Sequence, residues 1–281
     1  MKKYIHDEGS FEGIGGLKIY FQLFKASKYN TVIIIVHGVG EHSGRYTFPV
    51  EYFVDKGIAF YGLDHRGNGK SEGKRGHVES FSDYISDLKS FVDIVKKREG
   101  EKRYFLLGNS MGGLIAVRYI EEYPEGIDGV IISSSLLKVE EEVSKFKGFL
   151  REKFSKYLPK FVMTNEVDPY FLSQDREVVK RYIGDRLVHN KVSARWFSEI
   201  LSAVNEAHEK AQDIKLPILV MHAGSDKVVS VDGSREFFGK LGSDDKKLII
   251  YKGAYHEIMN DIERNSVFSD MEKWLKPRVK N

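Results

Sequence analysis

The 281-residue chain contains no cysteine. Disulfides, thiolate metal sites and cysteine nucleophiles are therefore excluded. It also lacks an excess of either charge: 44 Lys and Arg stand against 41 Asp and Glu, a net of +3. With no long single-sign block, the charge pattern gives no reason to expect a nucleic-acid partner. No apolar run approaches the ~18–20 residues that span a bilayer. The stretch Met1-Lys2-Lys3-Tyr4-Ile5-His6-Asp7 carries the charges of a signal peptide with no apolar run behind them. A cytoplasmic protein is the expectation. Neither a His-Glu-x-x-His pair nor an acidic calcium loop occurs, so no metal or cofactor is implied.

What is present suffices for a full core. Hydrophobic residues make up 41%, with 18 Phe and 15 Tyr, enough for one large domain or a domain with an insertion. Residues 17–24 alternate loosely after a glycine-rich turn and predict an antiparallel edge strand. Residues 31–36 are a continuous β-branched run, suited to a strand buried on both faces. It breaks at His37-Gly38-Val39-Gly40. A short helix near 49–56 and a strand at 58–63 follow. Apolar spacing predicts a helix over 80–97, with Ser80 and Asp83 resembling a capping box and Gly100 near its end. The apolar run 104–107 leads into a helix that Pro124 stops, and 129–133 is another buried strand. This alternation means an α/β fold with a mostly parallel central sheet flanked by helices.

The rhythm fails from 137 to 213, where amphipathic segments at 139–157, 175–182 and 192–212 predict an all-helical insertion over the sheet's edge. It resumes with a strand at 217–222, a helix at 231–240, a strand at 247–251 and a helix at 267–276. The expected division is a core of 1–136 and 214–281 with a helical cap insertion at 137–213.

The junction Gly108-Asn109-Ser110-Met111-Gly112 joins a strand to a helix. A sharp reversal there holds the middle side chain out at the sheet's carboxyl edge, and the two glycines let the chain segments approach closely. A serine hydroxyl needs a base, and the base an orienting carboxylate. Asp226 follows the 217–222 strand and His256 follows the 247–251 strand, in the order such a site requires. Among other histidines, His6, His189 and His208 are expected at the surface. His222 ends its strand and is expected to be packed or bonded to backbone. Asp232 lies too far into the next helix to serve as the acid. The oxyanion donors would be the N–H groups of Met111 and Val39, the alternative being that His37-Gly38 is only a tight turn. Gly67-Asn68-Gly69-Lys70-Ser71 ends like a phosphate-binding loop, but Asp64 stands where that pattern needs glycine.

With these residues in place the chain resembles the monoacylglycerol lipase and lysophospholipase branch of the α/β-hydrolase family. Four blocks carry the resemblance. They are His37-Gly38-Val39-Gly40-Glu41-His42-Ser43-Gly44-Arg45-Tyr46, Asp64-His65-Arg66-Gly67-Asn68-Gly69-Lys70-Ser71-Glu72-Gly73, Gly108-Asn109-Ser110-Met111-Gly112-Gly113 and Gly253-Ala254-Tyr255-His256-Glu257-Ile258. The similarity continues through 168–187. It implies an α/β-hydrolase fold whose inserted cap covers an acyl tunnel, and release of a fatty acid from a small lipid ester. By position it implies Ser110, Asp226 and His256 as triad, and Val39 and Met111 as oxyanion hole. It places Glu41 and Arg45 at the polar end of the pocket and Tyr182 near the glycerol head. Asn109 departs from a usual His, Ser133-Ser134-Ser135 from a common Ser-Pro, and Met259 from a polar head-group contact. Phe149, Phe154, Phe161, Phe171 and Trp196 are candidates for the tunnel, about half of them expected to be packing residues. The cap is also a candidate for transient membrane-surface contact. A general carboxylesterase, a serine peptidase or amidase, and a non-catalytic ligand-binding protein on the same fold remain alternatives.

Overall fold

The computed structural model describes residues 4–139, 158–165 and 167–279. Eight strands form one sheet: β1 (Ile5–Glu12), β2 (Lys18–Lys25), β3 (Thr31–Val36), β4 (Ile58–Leu63), β5 (Arg103–Asn109), β6 (Gly129–Ser133), β9 (Ile218–Ala223) and β10 (Lys246–Tyr251). Their order is β1-β2-β4-β3-β5-β6-β9-β10. β1 pairs antiparallel with β2, and β2 with β4. From β4 onward every pairing is parallel.

The helices are α1 (Thr47–Phe53), α2 (Phe81–Glu99), α3 (Met111–Glu122), α4 (Arg176–Gly184), α5 (Ala194–Lys210), α6 (Val231–Lys240) and α7 (Arg264–Leu275). They cover both faces of the sheet, which is why β3 is buried at every position. Val32, Ile34 and Val36 face a layer that includes Leu88 of α2, Leu114 of α3 and Ile200 of α5. Ile33 and Ile35 face the other way, toward Phe53 of α1 and Phe268 of α7. Successive side chains of one strand thus serve opposite cores. α3 buries Met111, Leu114, Ile115, Val117 and Ile120, each contributing roughly 1.5–3 kcal/mol of apolar burial. That anchors the helix which begins at the elbow.

Several local expectations are corrected. β2 is not the edge strand, because β1 lies outside it. β1 is mostly exposed and polar, so it has no apolar face for a period-two pattern to reveal. Ser80 caps α2 through the Ser82 N–H, but Asp83 does not complete a capping box. Its carboxylate lies 3.1 Å from the Arg66 guanidinium, a stronger partner for a carboxylate than a backbone N–H. The insertion is not all helical. A separate antiparallel pair, β7 (Val162–Thr164) and β8 (Lys191–Ser193), lies within it, each strand too short to show a period. Trp196 is one of the packing residues among the tunnel candidates. It packs with Ala203, Val204 and Ala207 of α5 into the core layer shared with α2 and α3. The segment 140–157, with Phe149 and Phe154, lies outside the described residues. Among the described residues no helix is long and apolar enough to cross a membrane.

Candidate active site

The elbow is strained where the sequence predicts it. Ser110 has φ 53° and ψ −121°, a left-handed geometry that costs a non-glycine residue on the order of 1–3 kcal/mol. The surroundings hold it there. Ser110 N–H donates to Ser133 O at 3.0 Å, and Leu136 N–H donates to Ser110 O at 3.0 Å. A Cβ on Gly108 would stand 2.5 Å from Gly112 O, and one on Gly112 would stand 1.9 Å from Val36 O. Both glycines are required by close backbone approach.

Asp226 and His256 follow β9 and β10, as expected. His256 Nδ1 is 2.8 Å from Asp226 Oδ2. A carboxylate only accepts, so Nδ1 carries the hydrogen and Nε2 is left as the basic atom. Asp226 Oδ1 accepts the N–H groups of Val228 at 2.8 Å and Val229 at 2.9 Å. Burial opposes the Asp226 charge, but His256, His222 and the Val229 N–H overcome it and hold the carboxyl well below its usual range. Burial likewise opposes a charged His256, yet Asp226, with Glu257 and Glu41 farther out, raises its pKa above the ordinary value.

The loop after β3 is a fixed clasp. His37 is fully buried; its Nδ1 donates to Gly38 O at 2.7 Å and its Nε2 accepts His65 N–H at 2.8 Å. Gly38 N–H donates to Glu41 Oε1 at 2.6 Å, and Gly40 N–H to Asn68 Oδ1 at 3.1 Å. Among the described residues, neither the Val39 N–H between them nor the Met111 N–H makes a hydrogen bond. The same loop is tied to the insertion: His42 Nε2 donates to Asp185 Oδ2 at 2.8 Å, and His189 N–H to Gly40 O at 2.9 Å.

Glu41 and Arg45 join a third residue that the sequence reading passed over. Arg45 Nη1 donates to Glu41 Oε2 and to Glu257 Oε1, both at 2.7 Å, and Nη2 donates to Glu257 Oε2 at 2.7 Å. Tyr46 O–H adds a bond to Glu41 Oε1 at 3.0 Å. The Tyr182 ring lies against the guanidinium, 4.6 Å from its centre, a cation–π contact. Glu257 was in plain view beside His256, but two carboxylates claiming one arginine is a fact of folding. Behind this network is a cavity of about 10 Å³ lined by Glu41, Tyr46, Asn109, Glu257, Met259 and Asn260. Among the described residues, Asn109 Oδ1 is buried and has no hydrogen-bond partner.

His222 is the other missed residue. It is fully buried, with Nδ1 2.7 Å from Ser234 Oγ and Nε2 3.3 Å from Val229 O. The backbone contact was expected. Its Nε2 also lies 3.3 Å from Asp226 Oδ2. The four-residue spacing across a strand end was the only signal available. His189 and His208 are not simple surface residues: half-buried, they reach Gly67 O at 3.1 Å and Leu137 O at 2.7 Å. The P-loop-like turn is closed on the Asp64 carboxylate. Asp64 accepts from Ser43 N–H at 2.9 Å and Lys70 N–H at 2.8 Å.

The chain is similar to known proteins along most of its length. Residues 27–263 match the family model described as serine aminopeptidase, S33. A monoacylglycerol lipase of Mycolicibacterium smegmatis is 31% identical over 95% of this chain and 96% of its own length. Phospholipase YtpA of Bacillus subtilis is 32% identical over 87% of this chain and 95% of its own. The crystal structure of Paleococcus ferrophilus monoacylglycerol lipase superposes with a TM-score of 0.81 at 32% identity, covering 98% of this chain and 99% of that one.

Proposed function

Because the chain belongs to the serine aminopeptidase, S33, family with the α/β-hydrolase fold, we propose that it cleaves carboxylic esters of monoacylglycerol type through a covalent acyl-enzyme. The observation that carries the reading is the 2.8 Å bond from His256 Nδ1 to Asp226 Oδ2, on the carboxyl edge of a sheet whose elbow presents Ser110. Ser110 Oγ attacks the ester carbonyl as His256 Nε2 takes its proton. The oxyanion is held by Val39 N–H and Met111 N–H, each such donor contributing ~10²–10³ in rate. The imidazolium then protonates the departing alcohol, and water repeats the cycle to free the acid.

The substrate class rests on the relatives named as monoacylglycerol lipases. We take 137–213 as the cap that selects it. Its described part exposes Leu158, Phe161 and Met163, which suits brief contact with lipid aggregates. The family description also names aminopeptidases, so an amide substrate is the second reading.

A fluorophosphonate probe should label the wild-type protein and not Ser110→Ala. Wild type should release fatty acid from monoacylglycerol and leave aminoacyl-arylamides uncut. Ester hydrolysis retained in a folded Ser110→Ala protein would overturn the mechanism. Preference for arylamides would overturn the substrate class.

A further inference from the structure

Val39 is flanked by two glycines whose backbone polar groups are all held. Gly38 N–H donates to Glu41 Oε1 at 2.6 Å, and Gly38 O accepts from His37 Nδ1 at 2.7 Å. Gly40 N–H donates to Asn68 Oδ1 at 3.1 Å, and Gly40 O accepts the His189 N–H at 2.9 Å. His37, Glu41 and Asn68 lie on the loops after β3 and β4. His189 comes from elsewhere, the turn between α4 and β8. The loop also stands against the nucleophile. A Cβ built on Gly38 would meet Ser110 Cβ at 3.2 Å, and one built on Gly40 would meet His189 O at 2.0 Å. The elbow therefore lies at one end of Gly38-Val39-Gly40 and the His189 turn at the other.

His189 is itself fixed from several sides. Its Nδ1 accepts the Lys191 N–H at 3.2 Å, so Nε2 carries the hydrogen and donates to Gly67 O at 3.1 Å. Gly67 precedes Asn68, the residue that holds Gly40 N–H. His189 thus ties Gly40 directly through its backbone and again, through its ring, by way of the turn behind it. Burial, aided by Arg75 and Lys191, lowers the His189 pKa against the pull of the Gly67 carbonyl and keeps the ring neutral. The same turn is anchored a second time, where His42 Nε2 donates to Asp185 Oδ2 at 2.8 Å and Leu187 N–H donates to Asp185 Oδ1 at 2.9 Å.

Gly40 has φ 69°, and a glycine leaves that region easily unless its neighbours hold it. Rotation there would turn the adjacent Val39. An oxyanion donor counts only when aimed, within about 2.7–3.1 Å of the developing charge. We propose that His189 is a positioning residue: through Gly40 it holds the loop so that Val39 N–H faces the oxyanion, and the segment between α4 and β8 thereby governs the chemical step rather than only enclosing the acyl chain. This rests on the proposed function for the part that Val39 plays. A group acting on the oxyanion affects every ester alike, whereas the wall of an acyl pocket affects long chains alone.

The test compares His189→Leu, which loses the bond to Gly67 O, with His189→Gln, which keeps a donor. Each is assayed on p-nitrophenyl acetate and p-nitrophenyl decanoate, with thermal melts as a folding control. Amide hydrogen exchange is followed on the peptide covering 37–41. In His189→Leu, kcat/KM should fall about tenfold on both esters, part of the ~10²–10³ that a lost oxyanion donor costs, and the peptide should exchange faster. His189→Gln should recover most of both effects. Should His189→Leu fail to fold, Asp185→Ala releases the same turn from His42 and is read the same way. A loss confined to the decanoate would make His189 part of an acyl pocket and overturn the proposal. So would unchanged hydrolysis of both esters, or an equal loss with exchange of 37–41 unmoved. A wild type inert toward both esters would sink the proposed function instead. Faster exchange in His189→Leu would then still uphold the tie between His189 and the loop, and unchanged exchange would overturn it.

Discussion

His222 Nε2 lies 3.3 Å from Asp226 Oδ2, the same oxygen that His256 Nδ1 approaches at 2.8 Å. One carboxylate oxygen thus faces two imidazoles, and the other accepts two backbone N–H groups. Val228 N–H, Val229 N–H and His256 Nδ1 donate to Asp226, and His222 Nε2 adds a close polar contact beside its hydrogen bond to Val229 O. Ser234 Oγ, 2.7 Å from His222 Nδ1, fixes the His222 ring so that Nε2–H faces the acid and Val229 O.

His222→Leu keeps the volume and removes the donor. A hydrogen bond to a charged group is worth roughly 1.5–3 kcal/mol, so kcat should fall about tenfold or more with KM little changed. His222→Gln can still donate and should recover most of the loss. Steady-state kinetics on both variants, with thermal melts as a folding control, decide the matter. An unchanged kcat in His222→Leu would mean that the residue only packs.

The pH dependence follows from His256. In its proposed role it serves as a base only when neutral, and its pKa is raised despite burial, because Asp226 stabilises the imidazolium. Activity should therefore be full above the raised pKa and fall as pH drops through it, with the midpoint of kcat/KM above ~6.5. The stability linkage has the opposite sense. Stability from the imidazolium is complete below the unfolded pKa and is lost as pH rises through the folded one. A kcat/KM profile placing the acid limb below pH 6 would contradict this environment for His256.

Gly112→Ala tests the close approach under the elbow. The new methyl would stand 1.9 Å from Val36 O and 2.5 Å from His37 O, backbone atoms that cannot swing aside. We expect a stability loss toward the upper part of the roughly 1–3 kcal/mol range for overpacking, measured by denaturant unfolding. Activity should fall further than stability, since the displaced backbone carries Ser110 on one side and the Val39 loop on the other. A variant with wild-type stability and kcat would show the contact to be soft.

Much of this site is legible in the primary structure, because its parts follow chain order. The β-branched runs mark buried strands, Pro124 stops α3, and the glycines flanking Ser110 announce the turn. Asp226 and His256 each come just after a recognisable strand. Local pattern suffices wherever one segment makes its own structure. β1 and the β7–β8 pair were invisible because short or exposed strands carry no apolar period. Trp196 looked like a cap residue because amphipathic spacing says that a helix has an apolar face, not which surface that face meets.

The sequence by itself determined the order of elements and the candidates for a nucleophile, an acid and a base, since those depend on neighbours along the chain. Tertiary structure alone decided their company. The bonds from Arg45 to Glu257 and from His42 to Asp185, and the His222 contact on Asp226, join side chains brought together by separate loops or strand ends. Charge interactions depend on distance and burial, and both exist only once the sheet has gathered those chain segments at its carboxyl edge.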